Sequence, residues 1–583
     1  MNVTDATVAI IQLDATPRSM SSADRKVILA SCVGTIFEWY DFFLYGTLVT
    51  IIGARFFGQF DETTRNIFAL LTFALGFVVR PLGALLFGRF GDLMGRKNVF
   101  LTTMIIMGAS TVAVGLLPTS EQIGIAAPIS LLALRILQGL AISGEFGGAV
   151  IYVCEHAPPG RRGFYAGWIP ACVGVSLLLA LLVILLTQSA LGNAAFDAWG
   201  WRVPFLASAL LVALSVWIRL RLNESPAFLK MRAEGKQSKA PISEAFGRWA
   251  NMRLSAIALF GMTAGVAATG YAGTFYVLVF MTSTLKMDSY TANLSFAVAM
   301  LLGACSCVFF GWLSDKIGRK PIILTGCLLA ALCYVTIFHE LAVTANPSLV
   351  SAQQSVSVVV KADPATCSFL FNPAGTTKFI SPCDIAKSAL ARAAVAYRNE
   401  AVAADTPTSV VVGDRAILAG SGLTEELTQA IVAAGYPTAV NPDALRLTRF
   451  SDIFASRPLI LIGLLLLLVV FAQMTQGPAA SALAELFPTH IRYTSMSLPY
   501  QISTGWIGGL LPATMFAMNA HAGSMFYGLW YPIGVAGVTF VIGLILLPET
   551  KDKDITRSEF ELSKQNEQFG SGGPHDENNN GKR

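Results

Sequence analysis

The chain alternates between long apolar runs and short polar connections over most of its 583 residues. A membrane-spanning helix needs about 20 mostly apolar residues to cross the hydrocarbon core. Twelve stretches meet this requirement, and they predict an all-α membrane protein with twelve transmembrane helices. The predicted spans are 27–52, 66–90, 99–117, 128–153, 164–188, 204–222, 254–281, 293–313, 321–341, 457–480, 495–518 and 525–547.

Charge is scarce and unevenly placed. Only 13% of the residues are charged and 54% are hydrophobic, with a mean hydropathy of +0.59, whereas soluble domains are about 25% charged. In membrane proteins Lys and Arg concentrate in cytoplasmic loops. Basic residues here cluster in the connections that lie on the same side as both chain ends. We therefore expect both termini in the cytoplasm. The net charge of +5 is explained by basic residues that set the orientation in the membrane, and it does not indicate nucleic-acid binding.

Two charged loops of nearly identical sequence separate apolar runs. Gly-Arg-Phe-Gly-Asp-Leu-Met-Gly-Arg-Lys occupies 88–97, and Gly-Trp-Leu-Ser-Asp-Lys-Ile-Gly-Arg-Lys occupies 311–320, at an offset of 223 residues. A repeat at a fixed offset predicts two structurally parallel halves. The fold expected from this repeat is two six-helix bundles.

Two further pairs of marks locate an insertion in the second half. Glu155-x2-Pro158-x3-Arg162 recurs as Glu485-x2-Pro488-x3-Arg492 at an offset of 330, and Glu224-Ser225 recurs as Glu549-Thr550 at 325. These offsets exceed the first by about 107 residues. The extra residues fall in the polar stretch 342–456, between spans nine and ten, which places them outside the cytoplasm.

The insertion is predicted to be a small folded domain, with an unstructured loop as the alternative. Apolar alternation at 355–360 indicates a strand, and 384–403 and 423–435 are typical of short amphipathic helices. Cys367 and Cys383 would be able to form a disulfide in an oxidising compartment. The predicted segments are 1–26 (cytoplasmic), 27–222 (first bundle), 223–253 (cytoplasmic linker), 254–341 and 457–550 (second bundle), 342–456 (insertion) and 551–583 (cytoplasmic disordered tail).

Five ionisable residues lie inside the first-half spans: Glu38, Asp41, Arg80, Arg135 and Glu145. Such residues are costly in a membrane and usually mark a transport pathway. At the repeat offsets their second-half counterparts are uncharged, namely Gly261, Ala264, Gly303, Leu465 and Thr475. Charges that hold a repeat together should recur in both halves, so this asymmetry favours a function in transport.

Structural explanations stay open for each of these charges. Glu38 and Asp41 would be simply solvated beside a wide water-filled cavity. Arg80 would be able to extend its head group to the membrane surface. Arg135 and Glu145 would be part of a static structural pair between helices.

Proton-coupled transport would use these residue types directly. A carboxyl in a low-dielectric cavity has a raised pKa, which lets it carry a proton near neutral pH. A neighbouring Arg lowers that pKa and also binds a carboxylate substrate through bidentate hydrogen bonds. Substrate and proton binding are then thermodynamically linked.

Four further motifs join the paired loops. They are Glu38-Trp39-Tyr40-Asp41-Phe42, Arg135-x2-Gln138-Gly139, Gly200-Trp201-Arg202-Val203-Pro204-Phe205 and Glu224-Ser225-Pro226-Ala227-Phe228. With them the chain resembles the major facilitator superfamily, and within it the metabolite:proton symporter family, over all spans but not over the insertion or tail. The resemblance implies alternating access in a bacterial inner membrane. Substrates of the family include dicarboxylates, citrate, 2-oxoglutarate, shikimate, proline and betaine.

The resemblance also assigns roles to particular residues. The paired loops imply that Asp92, Arg96, Asp315 and Arg319 form a cytoplasmic gate that holds the outward-facing state, and Arg135 matches an Arg tied to proton coupling. Glu155, Arg162, Glu485 and Arg492 are expected in the same gate. Span five lacks the Gly-Pro-rich motif of drug antiporters, which favours import. The tail lacks a coiled-coil heptad pattern, which argues against an osmosensor.

Two alternatives to a proton symporter of a small organic acid or zwitterionic osmolyte remain. One is an exporter or facilitator of the same fold, and the other is a non-transporting solute sensor that binds ligand through the insertion. An enzyme is not expected, because the five His residues are scattered and the nine Cys residues show no metal-ligand spacing. We expect no cofactor, metal or nucleic acid, and a monomer whose partners are a small substrate, protons and the lipid bilayer.

Overall fold

The computed structural model describes residues 22–59, 68, 72, 74–221, 224–371, 380–404, 406–420, 422–437 and 443–553. The predicted tail 554–583 and most of the first 26 residues lie outside these ranges. We number the spanning helices α1–α12 and name other helices by their bounds. The spanning helices are Ser22–Thr47 (α1), Arg80–Met94 (α2), Arg96–Leu116 (α3), Ala126–His156 (α4), Trp168–Leu191 (α5), Arg202–Leu220 (α6), Trp249–Thr284 (α7), Ser289–Ile317 (α8), Arg319–Ala345 (α9), Ser456–Leu486 (α10), 492–522 (α11) and Trp530–Leu546 (α12).

Short helices connect several spans. They are Val49–Phe56, Ser120–Ile123, Arg162–Ala166, Asn193–Ala195, Pro226–Ala233 and Pro241–Gly247, with a π-helical turn at Phe196–Gly200. Two spanning helices of the second bundle are irregular. α7 contains π-helical turns at Leu259–Thr263, Ala272–Tyr276 and Phe280–Thr284, and α11 consists of Arg492–Ile502, a π-helical turn at Ser503–Gly508, and Leu511–Ala522.

The structure confirms the predicted helical membrane fold. Ten helices of the described residues are long and apolar enough to cross a bilayer. The other two predicted spans correspond to α2 and α11. The start of the span predicted at 66–90 lies partly outside the described residues, and α11 is interrupted by its π-helical turn. Predicted boundaries differ from observed ones by a few residues, most at α10, which continues to Leu486.

The sequence repeat is also a structural repeat. Gly95 (φ 106°, ψ 156°) and Gly318 (φ 110°, ψ 157°) adopt the same left-handed conformation, which glycine tolerates best. Each glycine precedes a helix whose first backbone N–H groups donate to a glutamate from the end of its own half. Glu224 accepts from Arg96 N at 3.2 Å, and Glu549 accepts from Arg319 N at 2.9 Å.

These loops define one face of the molecule. We call the ends of the helices near 92–97 and 315–320 the loop face, and the opposite ends, which carry residues 346–455, the insertion face. α1–α6 form the first bundle and α7–α12 form the second. The buried apolar core of the second bundle continues into the insertion without a break, for example through Leu341, Leu349 and Val360.

The insertion contains a four-stranded sheet with the order β2-β1-β3-β4. The strands are Val358–Ala362 (β1), Arg398–Ala401 (β2), Ser409–Val412 (β3) and Arg415–Leu418 (β4), with helices Pro347–Ser355, Pro382–Arg392 and Leu423–Ala433 and 3-10 turns Pro364–Thr366 and Phe450–Phe454. β1 pairs in parallel with β2 and antiparallel with β3. The alternation at 355–360 corresponds to β1, in which every second residue is buried.

The prediction of a helix over 384–403 is wrong in its second half. The helix ends at Arg392, and Ala394 has a φ of 55° that reverses the chain. The backbone N–H of Tyr397 then donates to Gly523 O at 2.9 Å, and β2 follows. Tertiary hydrogen bonding has overridden a local pattern that suited a helix.

The insertion is fastened to the second bundle. Asn399 Nδ2 donates to His521 O at 3.1 Å, Lys286 Nζ donates to Arg392 O at 2.7 Å, and Leu447 N donates to Thr291 Oγ1 at 2.8 Å. Burial lowers the pKa of the Lys286 side chain in this contact. Because His521, Lys286 and Thr291 lie on three different parts of the second bundle, the insertion is attached to that bundle at three separate points.

Cys367 and Cys383 are joined by a disulfide that closes a 16-residue separation. Replacing both with Ser is expected to destabilise the insertion by about 3 kcal/mol, because a loop of this size loses its constraint in the unfolded state. Limited proteolysis of the purified protein at increasing temperature measures this. Cys305→Ser, which removes an exposed cysteine that forms no disulfide, is the control; equal proteolysis of both variants would contradict the prediction.

Candidate functional site

The loop face carries a network of four carboxylates and four arginines that joins the two bundles. The eight residues are those expected in a gate, namely Asp92, Arg96, Glu155, Arg162, Asp315, Arg319, Glu485 and Arg492. Each of these side chains is at most 7% exposed. The network is therefore a buried polar layer, and its strength depends on how completely each group is paired.

Asp92 of the first bundle caps a helix of the second. Its carboxylate accepts from Tyr493 N at 3.2 Å, Thr494 N at 2.9 Å and Thr494 Oγ1 at 2.8 Å, at the start of α11. Arg96 lies 3.3 Å from the same carboxylate and donates to Thr489 O at 2.7 Å. A helix N-terminus favours negative charge because its first N–H groups are free.

Asp315 of the second bundle caps a helix of the first bundle in the same way. Its carboxylate accepts from Gly163 N and Phe164 N, both at 2.8 Å, at the short helix before α5. Arg319 pairs with it at 2.7 Å. The two repeated aspartates therefore cap helices across the interface in opposite directions.

Ion pairs between bundles complete the layer. Arg492 lies 2.6 Å from Glu155, and Arg162 lies 3.8 Å from Glu485, which also pairs with Arg319 at 3.0 Å. Ser225 donates to Glu155, and Thr550 Oγ1 donates to Glu485 at 2.9 Å. With these contacts the loop face is closed.

Aromatic contacts close the path on the other side. Phe43 of α1 stacks on Phe275 of α7 with ring centroids 6.0 Å apart. Trp506 Nε1 of α11 donates to Val78 O at 3.2 Å. Nearer the loop face, Phe146 of α4 and Tyr500 of α11 stack 4.1 Å apart. In the part of the chain that the structure describes, the two bundles therefore touch on both sides of the interior, as in an occluded state.

All five ionisable residues predicted inside the first bundle are buried, with at most 4% of each exposed. They divide between two small cavities. The arginine cavity is bordered by Arg80, Arg135 and Gln138, and the carboxyl cavity by Glu38, Asp41 and Glu145. Met107 borders both. Neither cavity has room for more than about one water molecule in this state.

The two arginines of the arginine cavity have hydrogen-bond donors to spare. Arg80 donates from Nη1 to Tyr271 OH of the second bundle at 3.5 Å and lies 4.3 Å from the Phe77 ring centroid. Arg135 lies over the Tyr45 ring at 3.4 Å. Within the described residues Nε and Nη2 of both arginines lack a hydrogen-bond acceptor. Buried, unpaired guanidinium donors create a strong preference for an anion.

The three carboxyls of the carboxyl cavity differ in their partners. Asp41 accepts from Ser208 Oγ at 2.5 Å, and Glu145 Oε1 lies 3.4 Å from Arg219 Nη1. Neither oxygen of Glu38 has a hydrogen-bond partner among the described residues. Glu38 is therefore the carboxyl least stabilised in the ionised form by direct contacts.

The structural explanations considered for these charges hold only in part: Glu145 does belong to a buried pair between helices, with Arg219 of α6. Arg135 does not pair with Glu145, because it faces Tyr45 while Glu145 pairs with Arg219. Arg80 is 2% exposed and does not reach a membrane surface. Glu38 is packed against protein and is not solvated by a wide cavity.

Arg219 was missed by reasoning from the sequence. It lies in the last turn of α6, where it counts as one more basic residue of an inner connection, yet it is 1% exposed. The repeat contained a usable signal: at the 325-residue offset the counterpart of Arg219 is Leu544. It shares this asymmetry with the other five buried charges.

The chain was compared with known families and structures. Residues 31–376 match the model of the Major Facilitator Superfamily, and residues 421–560 match the model described as Sugar (and other) transporter. The chain is similar in fold to a proton:xylose symporter, XylE, bound to 6-bromo-6-deoxy-D-glucose. That match has a TM-score of 0.60 at 15% identity and covers 93% of this chain and 99% of XylE.

Three curated relatives of this chain come from bacteria. A putative metabolite transport protein of Haemophilus influenzae is 30% identical over 534 residues, 91% of this chain and 97% of the relative. The shikimate transporter of Escherichia coli is 34% identical over 58% of this chain and 77% of the relative. The proline/betaine transporter of E. coli is 34% identical over 52% of this chain and 62% of the relative.

Proposed function

The chain belongs to the major facilitator superfamily and is a membrane transporter, not an enzyme, and on that basis we propose that it imports a small organic acid together with protons. Twelve helices in two bundles, whose described residues touch at both faces around buried charges, suit transport by alternating access. In this scheme the bundles rock about the central cavities, and the occluded state described above lies between the two open states.

The arginine cavity carries the proposal for an anionic substrate. Arg80 and Arg135 border one cavity, and each has two buried donors without an acceptor among the described residues. A carboxylate offers the paired acceptor geometry that a guanidinium prefers. When the bundles part, a substrate with one or two carboxylates is the species that satisfies these donors.

The same cavity favours an organic acid over a zwitterionic osmolyte. A zwitterion needs an anionic or electron-rich partner for its cationic group as well as an arginine for its carboxylate. No acidic residue borders the arginine cavity within the described part of the chain. Two arginines that border a cavity with no acidic residue in its lining favour a substrate with net negative charge, such as a di- or tricarboxylate, 2-oxoglutarate or a shikimate-like acid.

The carboxyl cavity supports coupling to protons. Three buried carboxyls lie next to the arginine cavity, with Met107 between them. An anion that occupies the arginines removes positive charge that would otherwise stabilise ionised carboxyls. Substrate binding therefore favours proton binding, and by linkage protons favour the substrate.

The proposed orientation places the loop face in the cytoplasm of a bacterial inner membrane, with both termini on that side. The concentration of basic residues in the loop-face connections supports it. The insertion then lies in an oxidising space, which suits the disulfide between Cys367 and Cys383.

Uptake by the purified protein in proteoliposomes tests the proposal. We expect an inwardly directed proton gradient to drive accumulation of at least one labelled acid from a panel of 2-oxoglutarate, citrate, succinate and shikimate, and a protonophore to abolish it. Labelled proline and betaine are the matched zwitterions. Accumulation of the zwitterions alone would contradict the substrate class.

Other outcomes of this assay identify the alternatives. Uptake that a protonophore does not change would indicate a facilitator. Movement of the substrate only in the direction opposite to the protons would indicate an exporter. Saturable binding without flux, lost when 347–455 is removed, would indicate a sensor.

A further inference from the structure

Arg219 reaches the carboxyl cavity through a slot in α1. An ideal Cβ on Gly34 would lie 1.6 Å from Arg219 Nη2 and 2.4 Å from Cζ. Only a glycine leaves room for the guanidinium at this position. The other side of the guanidinium packs on the Phe100 ring at 3.4 Å, and Nη1 contacts Met104 Sδ at 3.5 Å.

This packing fixes Arg219 beside Glu145. The pair is 3.4 Å apart, and both side chains are 1% exposed. Separation of a buried pair costs several kcal/mol, because it leaves an uncompensated charge in a poorly solvated place. Arg219 therefore stabilises the ionised form of Glu145, which makes Glu145 less suited than an unpaired carboxyl to exchange a proton in every transport cycle.

Glu38 lies in the same cavity but is not held in this way. Among the described residues, the charged groups that act on it electrostatically are Glu145 on α4, Arg219 on α6, Arg80 on α2 and Asp41 on its own helix. Tyr493 and Tyr500 of α11 also interact electrostatically with Glu38. Arg219 is committed to Glu145, and Asp41 is hydrogen-bonded to Ser208. Arg80 is the remaining cation that is able to balance an ionised Glu38.

Arg80 also borders the arginine cavity. Three buried carboxyls (Glu38, Asp41, Glu145) and three buried arginines (Arg80, Arg135, Arg219) lie at or beside the two cavities, so this group of six is neutral when all are charged. A substrate anion on Arg80 adds negative charge to this balance. The carboxyl without a fixed partner is the one that takes up a proton in response.

We propose that Glu38 is the carboxyl that carries the coupled proton, and that Arg219, held in the Gly34 slot, is a positioning residue that keeps Glu145 ionised. On the side of high proton concentration Glu38 takes a proton from water as the substrate binds Arg80. On the other side the substrate leaves, Arg80 again balances the Glu38 carboxylate, and the proton passes to water. The coupling step of this assignment rests on the proposed function. The identification of Glu38 as a proton site does not, because it is argued from the contacts of Glu38 alone.

Infrared difference spectroscopy between low and high pH tests the site without any substrate. The protein is measured in lipid, and protonated buried carboxyls are followed by their C=O stretching band. We expect a titrating band that disappears in Glu38→Gln, persists in Asp41→Asn and Glu145→Gln, and is retained in Glu38→Asp. Loss of this band in Asp41→Asn or Glu145→Gln, with Glu38→Gln unchanged, would overturn the assignment.

Variants of Arg219 test the positioning role. Arg219→Gln should add a second titrating carboxyl, which is Glu145 released from its partner, whereas Arg219→Lys should restore the single one. Gly34→Ala should resemble Arg219→Gln, because its Cβ displaces the guanidinium. Arg221→Gln, which removes an exposed charge two residues away, and Gly534→Ala, which meets no atom within 4 Å, are the controls. A Gly34→Ala spectrum identical to that of Gly534→Ala would refute the slot.

The two proposals fail separately. If no organic acid is transported but the band disappears in Glu38→Gln as expected, the proton site is supported and the proposed substrate class is contradicted. If the wild type and Glu38→Gln accumulate an acid equally well and with the same dependence on the proton gradient, the proton assignment is contradicted and the substrate class is supported.

Discussion

Arg135→Gln is expected to abolish accumulation of the transported acid. Arg135 is one of two buried cations at the arginine cavity, and its Nε and Nη2 groups have no acceptor among the described residues. Loss of one partner of a buried charge pair costs about 2–5 kcal/mol. This corresponds to a loss of about 30-fold to several thousandfold in apparent affinity. Initial rates of uptake over a range of substrate concentrations measure the effect.

Two further variants make this result specific. Arg135→Lys keeps the charge but not the planar pair of donors, so it should recover only part of the affinity. Arg161→Gln removes an exposed arginine of the connection between α4 and α5 and should leave uptake unchanged. Normal uptake by Arg135→Gln with an unaltered dependence on pH would show that Arg135 has no part in binding or coupling.

The sequence was a good guide where a feature recurs. The two Asp-x2-Gly-Arg-Lys loops predicted a repeated arrangement, and the structure gives Gly95 and Gly318 the same backbone conformation. The comparison of offsets located the insertion between α9 and α10. The repeat and the position of the insertion were both predictable, because repeats and spacings can be read directly from the order of the residues.

The sequence did not predict which side chains pair with each other between different helices. Spacing places Glu38 and Asp41 on one face of α1, but it does not reveal that Asp41 meets Ser208 of α6 while Glu38 meets no hydrogen-bond partner in the described part of the chain. The partners of Arg135 and Glu145 stayed open for the same reason. Two charges on one helix about 15 Å apart choose partners from other helices, and for Glu145 the partner is Arg219.

The insertion shows a second limit. Its sheet has a parallel β1–β2 pair, and β2 is exposed along its whole length. A strand of this kind carries no alternation of apolar residues. It is specified by backbone contacts to the second bundle, such as that of Tyr397 with Gly523, and those depend on the completed fold.

Asp92→Asn and Asp315→Asn are each expected to shift the transporter from states closed at the loop face to states open there. Each carboxylate accepts at least two backbone hydrogen bonds from the opposite bundle. Hydrogen bonds to a charged group contribute about 1.5–3 kcal/mol each. Loss of one such contribution changes the equilibrium between closed and open states by about 10- to 150-fold.

Alkylation of a cysteine placed between the bundles measures this shift. Ser497 of α11 is buried, and its Oγ would lie 2.6 Å from a Cβ on Gly147 of α4, so Ser497→Cys is protected while the loop face is closed. In either aspartate variant a membrane-impermeant thiol reagent should react with it much faster from the loop face. Asp288→Asn is the matched control, because Asp288 also caps a helix, at Thr291 N, but does so within the second bundle.

The pair of variants also tests whether the repeat is functionally equivalent in both halves. Asp92 caps a helix of the second bundle and Asp315 caps one of the first, so the two contacts resist the same separation from opposite sides. If both act on a single closed-to-open equilibrium, the free-energy changes of the single variants should add in the double variant. Faster alkylation in only one of them would show that the loop face opens at one half of the network while the other half stays closed. No change in either would contradict the assignment of this network as a gate.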